Sequence, residues 1–326
     1  MRIVITGGCG FLGGRLALLL LDQGSALGPI DELVLFDNAP SALPLPDDKR
    51  VRLVTGDIAD RNTVARLIAP GTDAVFHLAA IVSGQAEADT DLGYRVNLDG
   101  TRAVLDACRA LGSAPRLIFA SSLAVYGGAL PPSVGDNTAL TPQSSYGSQK
   151  AIGELLVNDY SRKGFVDGRA LRLPTVVVRP GLPNRAASTF ASSMIREPLS
   201  GKDAVCPVSP DTVMALASPR RVIASLAHAL DLSSDAIGQN RALQLPGYSV
   251  SVGDMAEALR RAGGQAAYER LSWRHDPAIQ AIVGSWPAAL QAPRAEALGF
   301  KPDSGIDEAV QFFIEDDLAM QKELAG

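Results

Sequence analysis

Tyr146 and Lys150 stand four residues apart in Ser144-Ser145-Tyr146-Gly147-Ser148-Gln149-Lys150, and Ala151-Ile152-Gly153-Glu154-Leu155-Leu156 continues the stretch as a helix. That spacing is about one helical turn, so both side chains share a face. An ammonium one turn from a phenol stabilises the phenolate. It lowers a pKa that starts at about 10 towards working pH, which a general acid or base needs. Ser122 follows the apolar run 116–120, and a hydroxyl at that strand end can hold a reacting oxygen beside the tyrosine. Ser122, Tyr146 and Lys150 are therefore the candidate catalytic residues. Many solvated helix faces also carry a Tyr and a Lys four apart; this pair gains its weight from the N-terminus.

There, Thr6-Gly7-Gly8-Cys9-Gly10-Phe11-Leu12-Gly13 follows a first strand and opens a first helix. Gly7, Gly10 and Gly13 let the backbone turn sharply and approach a pyrophosphate, and the helix N-terminus offers unpaired N–H groups with a positive dipole end. The second strand ends in Phe36-Asp37-Asn38. A carboxylate there is placed to accept both ribose hydroxyls of an adenosine and to repel a 2′-phosphate, so NAD is favoured over NADP. Asp57-Ile58 closes the third strand, where an Asp can meet the adenine amino group. The small residues of Leu78-Ala79-Ala80 let the chain run close under a cofactor.

These residues need a scaffold of alternating strands and helices. Strands are expected at 3–6, 32–36, 51–55, 74–78, 116–120 and 171–178, and helices at 13–23, 62–68, 93–111 and 146–162, the rhythm of βαβ units. The fold class is α/β, a Rossmann doubly wound parallel sheet with helices on both faces and a smaller C-terminal substrate lobe. Residues 1–180 form the nucleotide-binding domain and 181–326 mainly the second lobe, with some segments returning to the first. After Pro180, prolines at 183, 198, 207, 210 and 219 break the rhythm into short pieces. A helix at 220–231, a strand at 242–245 and helices at 252–262 and 306–324 are expected there.

Composition narrows the function classes. With 326 residues, 47% hydrophobic and 20% charged, the chain is an ordinary globular protein with room for such a domain and a lobe. A net charge of −5 without a Lys/Arg cluster argues against nucleic-acid or membrane-surface partners. Three widely spaced cysteines without C-x-x-C, and three histidines without ligand spacing, support neither a disulfide framework nor a metal site. The chain opens on a strand, and the apolar run 16–21 is far shorter than the roughly 20 residues that span a bilayer, so the cytoplasm is expected.

Together these motifs resemble the extended short-chain dehydrogenase/reductase family of epimerases, dehydratases and dehydrogenases. The matching pieces are Thr6–Gly13, Asp37, Asp57-Ile58, His77–Ala80, Asn97–Thr101, Ser121–Gly127 and Tyr146–Lys150. They come in the family's order over about the first 180 residues. The resemblance implies Ser122, Tyr146 and Lys150 as the triad, with Lys150 also on the nicotinamide ribose. It implies Asn97 on a helix lining the cofactor, and Leu173, Pro174 and Thr175 beside the nicotinamide. It further implies a homodimer through the helices at 93–111 and 146–162. Within the family, the stretches at 80–89, 142–146, 160–168, 172–181 and 191–198 resemble the D-erythronate dehydrogenases, which oxidise the C2 hydroxyl of a four-carbon sugar acid with NAD.

On that reading, Tyr146 takes the hydroxyl proton, Ser122 holds the oxygen and Lys150 keeps Tyr146 acidic. The substrate carboxylate needs donors, and Arg179, Arg185, Arg196 and Arg220 lie in or near the second lobe. Ser83 and Gln85 follow the fourth strand; Thr175, Asn184 and 188–193 add polar groups. Two rivals stand beside this reading. A nucleotide-sugar epimerase or dehydratase with tightly held NAD would use the same triad but needs aromatic or Arg contacts in the lobe. The chain has only 5% aromatics, and Ser218-Pro219-Arg220-Arg221 replaces the family's usual Asp-containing motif. A non-catalytic redox-sensing NAD-binding protein tends to lose the Tyr or Lys, and both are present.

Overall fold

In a computed structural model that describes residues 1–40, 45, 47–181 and 187–325, the chain folds around a seven-stranded sheet. Its strands are β1 (Arg2–Thr6), β2 (Glu32–Asp37), β3 (Val51–Thr55), β4 (Thr72–His77), β5 (Arg116–Ser122), β6 (Asp167–Leu173) and β7 (Ala242–Gln244). They lie in the order β7-β6-β5-β4-β1-β2-β3, with every neighbouring pair parallel. Helices cover both faces, which is why Ile3-Val4-Ile5, Leu33-Val34-Leu35 and Leu117-Ile118-Phe119 are continuous apolar runs, each fully or almost fully buried. The chain runs outward from β1 through β2 to β3, then crosses back to place β4 on the other side of β1. At such a reversal the connections part and leave a crevice at the carboxyl ends of the strands. Thr6 and His77 end the two strands that flank it.

The later residues make a second core, with Phe190, Met194, Met214, Leu259 and Phe313 buried together. It is supported by a three-stranded sheet of Thr175–Val176, Val213–Ala217 and Tyr248–Ser251. The helix Pro219–Asp231 instead packs on the Phe11–Gln23 helix, and β7 joins the main sheet beside β6. Among the described residues, no helix is long and apolar enough to cross a membrane.

Several elements differ from the expected ones. The strand expected at 171–178 divides at Pro174: Leu173 ends β6, and Thr175–Val176 joins the second sheet. Proline lacks the N–H that would continue the ladder, so the chain changes sheets there. The helix expected at 93–111 begins as a π-helical turn, Tyr94–Asp99, before the α-helix Gly100–Leu111. The C-terminal helix breaks at Asp317 (φ −132°), whose carboxylate is paired with Arg15. The helix expected to end at 262 runs to Tyr268 through a kink at Gly264 (φ 74°). Beyond residue 180 the proline-punctuated region still forms the helix Thr189–Leu199, with Pro198 in its last turn, and the strands Ala204–Cys206 and Val213–Ala217.

The helix Ser145–Arg162 carries the tyrosine and lysine. Ser144 caps it, accepting the Gly147 N–H at 3.1 Å. At Gly147 the helix lies directly against the end of β5: a Cβ there would stand 2.0 Å from the Ala124 carbonyl oxygen and 3.0 Å from Pro142. Gly147→Ala is therefore expected to cost about 1–3 kcal/mol of stability as the helix is pushed outward. Urea unfolding checks this, and an unchanged midpoint would show that the helix seat is not tight.

Candidate active site

Ser122, Tyr146 and Lys150 meet at the carboxyl end of β5. The Ser122 Oγ accepts the Ala124 N–H at 3.2 Å, and its hydroxyl is hydrogen-bonded to the Tyr146 phenol. The Lys150 Nζ donates to the Ala120 carbonyl at 2.8 Å and stands 5.6 Å from the Tyr146 ring centroid. Burial pushes the Tyr146 phenol up, opposed by the Ser122 hydrogen bond and the Arg179 charge. Burial also pushes the Lys150 amine down to about 8, opposed by Glu154. The lowering of the Tyr146 pKa expected from Lys150 is thus not the dominant effect: desolvation outweighs it, and the opposing groups are Ser122 and Arg179.

Ser122 and Tyr146 face a cavity of about 1070 Å³, with Lys150 buried behind them. Leu12, Leu173, Pro174 and Thr175 line it beside the triad, while Val82 and Ser83 come from the segment after β4. Its far wall comes from the later chain and is mostly apolar, with Phe190, Met214, Ile279, Ile282, Trp286 and Pro287 beside the polar Ser188 and Thr189. Of the arginines considered, Arg179 lines the cavity, and its buried Nε has no hydrogen-bond partner among the described residues. Arg196 is engaged by Glu197, Ser193 and the Arg179 carbonyl. Arg220 is paired with Glu315 and Asp316 and stacks on Phe312. Asn184 and Arg185 lie outside the described residues. Gln85 is exposed and Ser192 holds the Arg179 N–H, so neither faces the cavity. Ser218 caps the Pro219–Asp231 helix and bonds buried Asp303, a structural role.

The glycine turn fits a dinucleotide. A Cβ on Gly7 would stand 2.8 Å from the Ala79 nitrogen, and one on Gly13 would stand 2.2 Å from the Gly7 oxygen. The turn and the Leu78-Ala79-Ala80 segment are thus drawn together as only glycine permits. The helix starting at Phe11 has no side-chain cap on Gly10 and no acidic residue in its first turn, which leaves N–H groups and dipole for an anion. Asp37 accepts the Cys9 N–H at 3.2 Å and the Asn38 N–H at 2.8 Å, which aims its carboxylate over the turn. Asp57 accepts the Ala59 N–H and pairs with Arg95, beside a second hollow, and Ile58 is buried against Gly100.

Asn97 reaches the site through the backbone. Its Oδ1 accepts the Ile81 N–H at 2.9 Å, and its Nδ2 donates to the Ile81 carbonyl and to Gln149 Oε1. The π-helical turn supports this inward placement, a common feature of functional sites. Sequence reasoning missed Gln149, the buried pair of Glu154 and Arg172, and the apolar wall around Trp286. Only Glu154 left a legible signal, standing one turn beyond Lys150.

The family model for the NAD dependent epimerase/dehydratase family matches residues 3–232. The chain belongs to that family. It is 56% identical to the D-erythronate dehydrogenase of Cupriavidus necator, over 97% of this chain and 98% of that protein. It is 49% identical to the D-erythronate dehydrogenase of Haemophilus influenzae, over 98% and 100% of the two chains. The solved nucleoside-diphosphate-sugar epimerase of Agrobacterium tumefaciens superposes with a TM-score of 0.93 at 41% identity, covering 98% of this chain and 95% of that one. In this family the Asp37 carboxylate tests the nucleotide site. Asp37→Ser is expected to weaken NAD binding about tenfold or more, the value of a hydrogen bond to a charged group, and to narrow the preference over NADP. Calorimetric titration with each nucleotide checks both effects.

Proposed function

We propose that this protein oxidises the C2 hydroxyl of a small sugar acid with NAD, and that D-erythronate, giving 2-oxo-tetronate, is the substrate to test first. The observation that carries the reading is the convergence in one cavity of Ser122, Tyr146 and a half-buried Arg179 whose buried Nε has no partner among the described residues. The two relatives named D-erythronate dehydrogenase support the substrate class. When bound, NAD supplies the hydride acceptor. Gly7, Gly10, Phe11, Leu12 and Gly13 would hold its pyrophosphate, and Asp37 its adenosine ribose. Leu173 and Pro174 would flank its nicotinamide.

The protein's own residues do the rest. Arg179 binds the substrate carboxylate, because a guanidinium fork matches its two oxygens. That fixes the C2 hydroxyl at Ser122 and Tyr146, and Tyr146 as phenolate takes its proton. Lys150 stands behind the phenolate as the balancing charge. The wall of Met214, Ile279 and Trp286 keeps water from the reacting carbon. Exposed Tyr94 and Leu155, on the helical segments at 94–111 and 145–162, support a homodimer.

NADH should accumulate with D-erythronate and NAD. Tyr146→Phe should lower kcat by about 10²–10⁴, the usual contribution of a positioned acid–base group. Arg179→Gln should raise KM about tenfold to a hundredfold with a smaller change in kcat. Absence of NADH across a panel of sugar acids, with turnover of a nucleotide sugar instead, would overturn the reading in favour of an epimerase.

A further inference from the structure

The Ser145–Arg162 helix places Tyr146, Lys150 and Glu154 on successive turns of one face. Glu154 is buried and holds two partners. The Ser121 hydroxyl donates to its Oε1 at 2.5 Å, and the Arg172 Nη2 donates to its Oε2 at 2.7 Å, with the Arg172 Nε between the two oxygens at 3.0 and 3.1 Å. Arg172 Nη1 donates to the Tyr126 hydroxyl at 2.7 Å, which in turn donates to the Gly135 carbonyl at 2.9 Å. Neither Glu154 nor Arg172 lines the cavity. Two charges buried in this way cost much to desolvate, and an apolar pair would join helix and strand as well. Their value therefore lies in what their field does.

The groups facing Lys150 show where that field acts. Tyr146 and Glu154 come from its own helix, and the Phe119 ring (4.8 Å) and the Ala120 carbonyl from β5. Buried His77 comes from β4, and Arg172 from β6 lies beyond Glu154. Arg179 faces Tyr146. Among these groups, Glu154 is the anion that offsets the burial of the amine.

We propose that Glu154 and Arg172 form a positioning pair for the reacting tyrosine: Glu154 sets its negative charge against the Lys150 amine one turn behind Tyr146, and Arg172 holds Glu154 in place. This rests on Tyr146 acting as the base. Removing a buried negative charge lets both Tyr146 and Lys150 lose their protons at lower pH. Because Glu154 stands nearer to Lys150, the neutral amine beside a protonated phenol gains over the phenolate–ammonium form, and the active fraction falls.

Glu154→Gln is therefore expected to move the pH profile of kcat/KM, measured with D-erythronate and NAD, towards acid by about one unit. Its maximum should fall about tenfold. Glu154→Asp keeps the charge and should keep the profile, even at lower stability. The double variant E154Q/R172Q removes both charges, so its displacement should shrink below that of E154Q alone; a purely structural role would make the double variant worse. The phenolate absorbance of each protein, taken as a difference from the same protein carrying Tyr146→Phe, gives the tyrosine titration without any substrate. A tyrosine titration unchanged in E154Q, or a displacement undiminished in the double variant, would overturn the proposal. If Tyr146→Phe itself leaves turnover intact, it is the assignment of the base that fails.

Discussion

The helix that carries Tyr146 packs closely on β5 and the turn that follows it, with a glycine of the helix at two of the contact points. A Cβ on Gly147 would stand 2.0 Å from the Ala124 oxygen, and one on Gly153 would stand 2.6 Å from the Phe119 ring. At that separation three consecutive residues of β5 each reach a side chain on a different turn of the helix. The Ala120 carbonyl takes Lys150, the Ser121 hydroxyl takes Glu154, and the Ser122 hydroxyl takes Tyr146. One strand end thus holds the tyrosine, the lysine and the glutamate together. A displacement of about 1 Å at such a site can cost a hundredfold in rate, which makes the glycines part of the chemistry.

A second buried polar chain fixes the cofactor side, and its proton order follows from its donors. The Thr101 hydroxyl gives its proton to the Asn97 carbonyl at 2.7 Å, so it can only accept from His77 Nε2, 2.9 Å away. The His77 Nδ1 must then accept from the Thr6 hydroxyl at 2.7 Å, while the Thr6 oxygen also accepts the Ala79 N–H. This requires a neutral imidazole, consistent with burial pushing the His77 pKa down to about 3. The chain joins the end of β1, the end of β4 and the π-helical turn, the three pieces that border the crevice. Its neutrality leaves the charge near the triad to Lys150, Glu154, Arg172 and Arg179.

The sequence carried the sheet well because parallel strands covered on both faces are continuous apolar runs between helices, and the glycine turn, Asp37 and the triad all fall at element ends. It carried the breaks poorly. The step at Pro174, the π-helical turn before Gly100 and the kink at Gly264 depend on what the chain meets in three dimensions, and no local period reveals them. Arginine roles were least legible. Arg179, Arg196 and Arg220 are equivalent in sequence. Only their partners divide them, because Glu197 and the Glu315–Asp316 pair lie where the fold brings them.

That division is also where substrate choice resides. The family includes proteins named epimerases, dehydratases and dehydrogenases, so its common features do not choose the substrate. Discrimination must come from groups that differ outside them. Here the cavity sets one half-buried arginine, Arg179, against apolar side chains of Met214, Ile279, Ile282 and Trp286. An Arg whose buried Nε has no partner among the described residues favours a ligand that brings an anion, because leaving it unsatisfied costs more than pairing it gains. On the proposed function, a carboxylate next to the reacting carbon would satisfy Arg179 and leave the apolar side chains to exclude water.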